Sequence, residues 1–344
     1  MIGIEYKRRL EKIEEVLCKA LPEQPDSDWM RSVFSVLPEG ADPAYAARLL
    51  EPCRNLLLLG GKRWRPLLLV LSCELAGSAP EAAYPLVPAV EFAHTASLIH
   101  DDIEDCAEER RGKPCAHLAY GTDTAINSAS WLYFHAQTCI AAYEAAPGLK
   151  LRLFSILNRE LRRLHLGQAM DIQWHRDHSF IPPREQYECM VRLKTGTLAC
   201  LAAETGSAAG GAEEEEIRWL GKIASDAGAA FQILDDVKNL TQGNPGKQRG
   251  DDIVEGKKSL PVVLHEERGG EDLRPLFEQA RKEGIRSPAV EQAIAALERS
   301  GAIRQAAEYG NAMAEACITE TQKRWNGNPA AGLIAGLFRT MLSG

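Results

Sequence analysis

Apolar residues recur along most of this chain at intervals of three and four, the period of an amphipathic α-helix rather than the alternation of a strand. In residues 5–20, Leu10, Ile13, Val16 and Leu17 fall on one stripe. The same reading predicts helices over 28–37, 43–59, 64–77, 80–108, 115–119, 122–145, 149–174, 184–206, 213–240, 259–267, 272–283, 287–299, 301–325 and 329–342. Asp26 or Ser27 is placed to cap the second of them. No series of short alternating strands bounded by turns is visible, so the expected fold class is all-α. Three segments break the pattern. Residues 175–183 (HRDHSFIPP) are a loop, and 207–212 (SAAGGA) a turn before four glutamates, Glu213–Glu216, that suit the positive end of a helix dipole. Residues 241–258 are rich in Gly and Lys and longer than an ordinary connection, a length at which loops often carry function.

Two of the predicted helices turn acidic on one face. In EFAHTASLIHDDIEDCAEERRG (91–112), His94, Leu98, Asp101 and Asp105 sit at i, i+4, i+7 and i+11, with Asp102 beside them. Three carboxylates this close repel one another unless a cation lies between them. Hard oxygen donors of this kind suit Mg²⁺, which is commonly shared with substrate phosphates. The preceding residues, Val90, Phe92, Ala93, Ala96, Leu98 and Ile99, are apolar, and a buried helix does not end in Asp-Asp without compensation. DAGAAFQILDDVKNL (226–240) repeats the arrangement with Gly228, Gln232, Asp235 and Asn239, and Asp236 adjacent. Two such clusters facing each other would hold several divalent ions around a diphosphate. That pairing implies a single domain over 1–344, because both halves must line one cavity.

Cations stand ready to complement such a ligand. GGKRWRP (60–66) puts Lys62, Arg63 and Arg65 after two glycines that let backbone approach a ligand, between the apolar runs LLLLG and LLLVL. Arg110 and Arg111 follow the first acidic cluster, Lys194-Thr195-Gly196 interrupts an apolar helix, and Lys247, Lys257 and Lys258 lie in or beside the long loop. Arg suits bidentate phosphate contacts and Lys point-charge ones. There is no GxxxxGK[ST], no GxGxxG after a strand, no GxSxG and no HExxH, so nucleotide-binding, serine-hydrolase and zincin readings lack support.

The gross composition narrows this further. A formal charge of -8 argues against a general nucleic-acid binder. Nine cysteines without a CxxC pair suggest neither a zinc site nor a disulfide framework, and fit a reducing compartment. Charges interrupt the first seventeen residues, unlike a signal peptide, and no apolar run is long enough to cross a bilayer. The expected location is cytoplasmic.

Taken in order, GGKRWRP, DDIED followed by ERRGKP, KTG, FQILDDVKN and GDDIVEGKKSLP resemble the trans-prenyl diphosphate synthase family (polyprenyl synthetases), from about Leu56 to Leu264. The resemblance implies a bundle of antiparallel helices around a deep cavity, usually in a homodimer, and Mg²⁺-dependent head-to-tail condensation of isopentenyl diphosphate with an allylic diphosphate. It also implies roles. Asp101, Asp102, Asp105, Asp235, Asp236 and Asn239 would serve three Mg²⁺ ions. Arg110, Lys194, Thr195, Gln232, Lys247 and Lys257 would grip the allylic diphosphate. Gly61, Lys62, Arg65, His94 and Arg111 would bind isopentenyl diphosphate. The second motif often ends in Asp where Asn239 stands here, a DDxxN form that resembles some geranylgeranyl diphosphate synthases of the family.

Product length is expected to depend on what lies along the first-motif helix. Ala96 and Ser97, one turn before Asp101, are small and leave the channel open where farnesyl-type enzymes carry aromatics; Trp131, Tyr133 or Phe134 would supply a floor further down. The expected product has twenty carbons or more. The alternatives are a class I terpene cyclase, which has no use for GGKRWRP, and a non-catalytic subunit of a heteromeric synthase, which would be expected to lose one acidic cluster or its arginines.

Overall fold

A computed structural model describes residues 2–177, 179–243 and 248–342. In chain order its helices are α1 (Ile2–Ala20), α2 (Ser27–Phe34), α3 (Pro43–Leu58), α4 (Trp64–Leu75), α5 (Val87–Glu104), α6 (Ala116–Tyr120), α7 (Thr122–Ala142), α8 (Pro147–Arg176), α9 (Arg184–Val191), α10 (Thr197–Ala209), α11 (Glu214–Thr241), α12 (Asp251–Glu255), α13 (Leu260–Glu267), α14 (Arg274–Glu283), α15 (Pro288–Arg299), α16 (Ala302–Arg324) and α17 (Pro329–Leu342). Among the described residues the only strands are β1 (Glu109–Arg110) and β2 (Lys113–Pro114). The all-α expectation holds.

Local sequence explains most boundaries. Asp26 caps α2 by accepting the Trp29 N–H at 2.8 Å, and Asp42 caps α3 ahead of Pro43. The single helix expected over 80–108 is instead two short 3₁₀ turns, Pro80–Ala82 and Tyr84–Leu86, followed by α5. Pro85 cannot donate within a helix, whereas Pro88 is tolerated in the first turn of α5. The helix expected over 184–206 is broken by a π-helical turn at Arg192–Gly196. The 241–258 loop contains α12.

The chain forms two compact units. The first comprises Met1–Arg159, Leu201–Trp219 and Asn328–Leu333. Here α5 packs against α1, α3, α4 and α7. Leu68, Leu69 and Leu71 of α4 are fully buried, each contributing about 2 kcal/mol of apolar burial. The second comprises Glu160–Cys200, Leu220–Gly327 and Ile334–Gly344. In it α13 packs against α9, α15 and α16, and Leu240, Ile253, Phe277, Val290, Ile294 and Leu297 form one continuous core.

Candidate active site

In the first unit, the last turn of α5 carries Asp101 and Asp102, and Asp105 ends it with its N–H on the Asp101 carbonyl at 2.8 Å. Asp102 is only 1 % exposed, so its charge must be compensated. Arg110 does this: its Nε lies 2.8 Å from Asp102 Oδ1, and Nη2 reaches Asp102 as well as Asp101 at 3.7 Å. The segment ERRGKP makes this geometry. It folds as a hairpin with Arg110 opposite Lys113, turning through Arg111 and Gly112, both at positive φ (54° and 77°). That is the backbone of a two-residue turn whose twist matches paired strands. A strand of two residues has no alternation to read, and Arg-Gly is a weak turn signal, so the hairpin is absent from the sequence expectation.

The hairpin also aims Arg111. Its guanidinium donates to the Gly60 carbonyl and, at 3.4 Å, to that of Leu56. Gly61 sits at φ 147°, a backbone conformation that suits glycine, and a Cβ there would crowd Arg111 Nη2 at 3.1 Å. Next along the chain, Lys62 is exposed, while the Arg65 guanidinium lies over the Trp64 ring, 4.2 Å from its centroid. Arg65 Nη1 lies 3.4 Å from His94 Nε2. Desolvation, with Arg65 and Arg111 nearby, holds the His94 pKa well below the ordinary value, so the ring is neutral and its Nε2 accepts. Burial likewise lowers Arg65 to about 10, against the attraction of Glu91, and it remains a cation at neutral pH. Arg65 Nε is buried and has no hydrogen-bond partner among the described residues. An orphaned buried donor costs about 1–3 kcal/mol, and a ligand oxygen would satisfy it.

In the second unit, α11 carries Gln232, Asp235, Asp236 and Asn239. Asp236 is buried and accepts from Gln232 Nε2 at 2.8 Å and from the Tyr187 hydroxyl at 3.1 Å. Burial, then the nearby Asp252 carboxylate, raises Asp236 to about 8. Thr195 Oγ1 donates to Gln232 Oε1 at 2.9 Å. Lys194 and Thr195 lie in the π-helical turn, a distortion that re-aims side chains. Its helix is held against its neighbours by glycine: a Cβ on Gly167 would come within 2.5 Å of the Lys194 N, and one on Gly196 within 2.6 Å of the Ser225 carbonyl. Lys194 Nζ is 2.5 Å from Asp171 Oδ2, and Asp171 Oδ1 is 3.1 Å from His175 Nε2. Lys257 pairs with Asp252 at 3.3 Å and Glu255 at 3.0 Å.

Several positions differ from the sequence expectation. Arg63, grouped by sequence with Lys62 and Arg65 as a cation for a ligand, turns into the core. Asn239, read as a metal ligand, is 1 % exposed, and its amide is committed to backbone: Oδ1 accepts the Asp252 N–H at 3.2 Å, and Nδ2 is 3.5 Å from the Gln248 carbonyl, which holds the start of α12. Phe134 is 70 % exposed and lies off the buried stripe of α7 (Ala125, Ala129, Leu132, Ala136), so it is no floor within this chain. Trp131 belongs to an aromatic cluster with Trp29, Phe34 and His135, and Tyr133 stacks on His100 at 5.7 Å. Ala96 is buried, and Ser97 Oγ donates to the His94 carbonyl at 2.8 Å. Lys247 lies outside the described residues. Beyond the residues singled out from the sequence, the structure brings Glu91 to the Arg63 and Arg65 segment in the first unit, and Tyr187, Asp171 and Asp252 to Asp236, Lys194 and Lys257 in the second. For Asp171 a signal existed: Gly167 and Asp171 are one turn apart on a predicted helix, a small and a charged residue on one face.

The polyprenyl synthetase family pattern matches residues 46–297, most of the chain and parts of both compact units. The chain belongs to the polyprenyl synthetase family. A short chain isoprenyl diphosphate synthase of Methanocaldococcus jannaschii is 35% identical over 261 residues, 74% of this chain and 77% of that protein. A geranylfarnesyl diphosphate synthase of Aeropyrum pernix is 37% identical over 65% of this chain and 72% of that protein. Among solved structures, the geranylgeranyl pyrophosphate synthetase of Pyrococcus horikoshii Ot3 superposes with a TM-score of 0.84 and 30% identity, covering 100% of this chain and 98% of that one. This polyprenyl synthetase is a prenyltransferase that elongates prenyl chains. No helix among its described residues is long and apolar enough to cross a membrane.

Proposed function

We propose that the protein condenses isopentenyl diphosphate with an allylic diphosphate, head to tail, in a Mg²⁺-dependent reaction that gives a trans-prenyl diphosphate of twenty carbons or more. The observation that carries this is the orphaned Arg65 Nε beside neutral His94, with Arg111 held against the turn that carries Gly60, Gly61 and Lys62, a set of cations additional to those that face the aspartates. A reaction with one diphosphate has no need of it, and a cyclase would be such a reaction. The aspartate motifs provide the other half: Asp101, Asp102 and Asp105, with Asp235 and Asp236, offer only hard carboxylate oxygens, the donor set that fits Mg²⁺. When bound there, Mg²⁺ neutralises the diphosphate as it leaves.

The residues then divide the work. Arg110, Lys194, Thr195, Gln232, Lys247 and Lys257 hold the allylic diphosphate and favour the charge that develops as its C–O bond ionises. Gly61, Lys62, Arg65, His94 and Arg111 hold isopentenyl diphosphate so that its double bond attacks the allylic carbon. A proton is then lost, with the departed diphosphate as the base. Asn239, fastened to the turn at Asp252, positions α12 and Lys257. The small residues Ala96 and Ser97 leave room for the growing chain, with Trp131 and Tyr133 beyond them. The protein acts as a homodimer, and the large apolar residues Ile126 and Phe134, exposed two turns apart on α7, are consistent with a covered face; a solution mass of one chain would overturn that part.

The test is incubation of purified protein with Mg²⁺, labelled isopentenyl diphosphate and dimethylallyl, geranyl or farnesyl diphosphate in turn. A ladder of linear products ending at one length of twenty carbons or more is expected. Cyclised hydrocarbon, or no elongation from any starter, would sink the reading.

A further inference from the structure

Arg63 is the one cation of GGKRWRP for which the substrate reading has no use, and it is also the best satisfied. It sits at φ 45°, a left-handed conformation costly for a residue with a Cβ. It is 5 % exposed. Nη1 lies 2.7 Å from Glu91 Oε1 on α5, Nε 2.7 Å from Glu14 Oε1 on α1, and Nη2 2.5 Å from the Leu57 carbonyl at the end of α3. One guanidinium thus ties three helices to the turn carrying Gly60, Gly61 and Lys62. Glu91, 3 % exposed, is one helical turn before His94, so the same α5 face presents the anchor and the imidazole. Its carboxylate also acts on Arg65 and Arg111. Glu14 is half-exposed and is the weaker partner.

We infer that Glu91, acting through Arg63, is a positioning residue for the isopentenyl diphosphate basin, holding the Gly60–Lys62 turn in the strained form that brings Lys62, Arg65, His94 and Arg111 onto one ligand. A buried ion pair is weak evidence for stability as such, since apolar replacements are often as stable, and its attested value lies in fixing one geometry. Strained backbone likewise persists only where its surroundings over-determine it. Glu91 supplies that determination from beneath the turn.

The alternative role for Glu91 is that of a counter-ion only, which screens three arginines. The two roles move the same readout in opposite directions. Removing a mere counter-ion strengthens the positive field and tightens diphosphate binding. Removing a positioning residue scatters the cations and weakens it. This inference rests on the proposed function, so wild-type condensation is measured first; an inactive wild type overturns that reading, whereas an active one makes the variants decisive. In Glu91→Gln, the KM for isopentenyl diphosphate is expected to rise about tenfold, equivalent to about 1.4 kcal/mol, with KM for the allylic diphosphate within about twofold of wild type. Glu91→Asp keeps the charge but not the reach, and is expected to behave like Glu91→Gln rather than like wild type; it also serves on the same readout if Glu91→Gln does not fold. An isopentenyl diphosphate KM that is unchanged or lower, a wild-type-like Glu91→Asp, or an equal loss against both substrates would overturn the inference.

Discussion

Asp101→Asn is expected to lower kcat by about two to three orders of magnitude, the usual cost of removing one preorganised group that stabilises developing charge, while leaving the folded structure in place. Asp101 is partly exposed and its carboxylate stands 3.7 Å from Arg110 Nη2, so an amide is accommodated without a buried charge losing its partner. The neighbouring residue provides the contrast. Asp102 is 1 % exposed and takes the close contact with Arg110. Asp102→Asn therefore strikes activity and stability together, since it leaves the partly buried Arg110 guanidinium with only the more distant Asp101 carboxylate to compensate it. Kinetics as a function of Mg²⁺ concentration, run beside urea unfolding, separate the two cases. For Asp101→Asn, higher Mg²⁺ should recover part of the rate and the unfolding midpoint should stay close to wild type. For Asp102→Asn the midpoint should fall as well. A fully active Asp101→Asn would remove the first motif from the chemistry.

These two aspartates also show where the sequence was legible. Helical periodicity placed α5 and α11, and a run of apolar residues ending in Asp-Asp marked both chemical ends, because burial followed abruptly by charge is a pattern local sequence carries in full. It could not separate Asp101 from Asp102, since which carboxylate is buried depends on a hairpin formed after the helix ends. Arg63 and Arg65 are two residues apart in one cationic run and look equivalent, yet one turns into the core and the other stays beside His94. The backbone at φ 45° decides that, and its partners Glu14 and Glu91 come from distant segments. Asn239 reads as a variant ligand by its place in the motif, and only the fold of the following loop shows its amide fastening the Asp252 turn. Prolines, by contrast, mark a boundary locally: Pro85 and Pro88 rule out a single helix across 80–108. What the sequence withheld is long-range partnership rather than element type.

Lys194 and Asp171 are the sharpest case of such a partnership, and removing it gives the largest expected effect on stability. Asp171→Asn should cost on the order of 3 kcal/mol at pH 7, the lower end of the range for breaking a buried ion pair by removing one member, because Lys194 retains some access to water. Burial alone would push the Asp171 pKa up. The Lys194 ammonium 2.5 Å away and His175 on the other oxygen outweigh it, and hold the carboxyl well below its ordinary range. A carboxylate whose folded pKa is depressed contributes stability at pH above its unfolded value, and loses it as pH falls toward the folded one. The gap between wild type and Asp171→Asn should therefore be present above about pH 5, where Lys194 sustains it, and narrow below about pH 4, where the unfolded carboxyl takes up its proton. Urea midpoints of the two proteins across that range measure it, and a gap that widens in acid would refute the assignment. Loss of the pair should also register in catalysis, because Asp171 holds Lys194 in the π-helical turn where it is proposed to meet the allylic diphosphate. With the tether gone, the ammonium keeps its charge but not its place, and the expected mark is a raised KM for the allylic substrate, with the KM for isopentenyl diphosphate little changed.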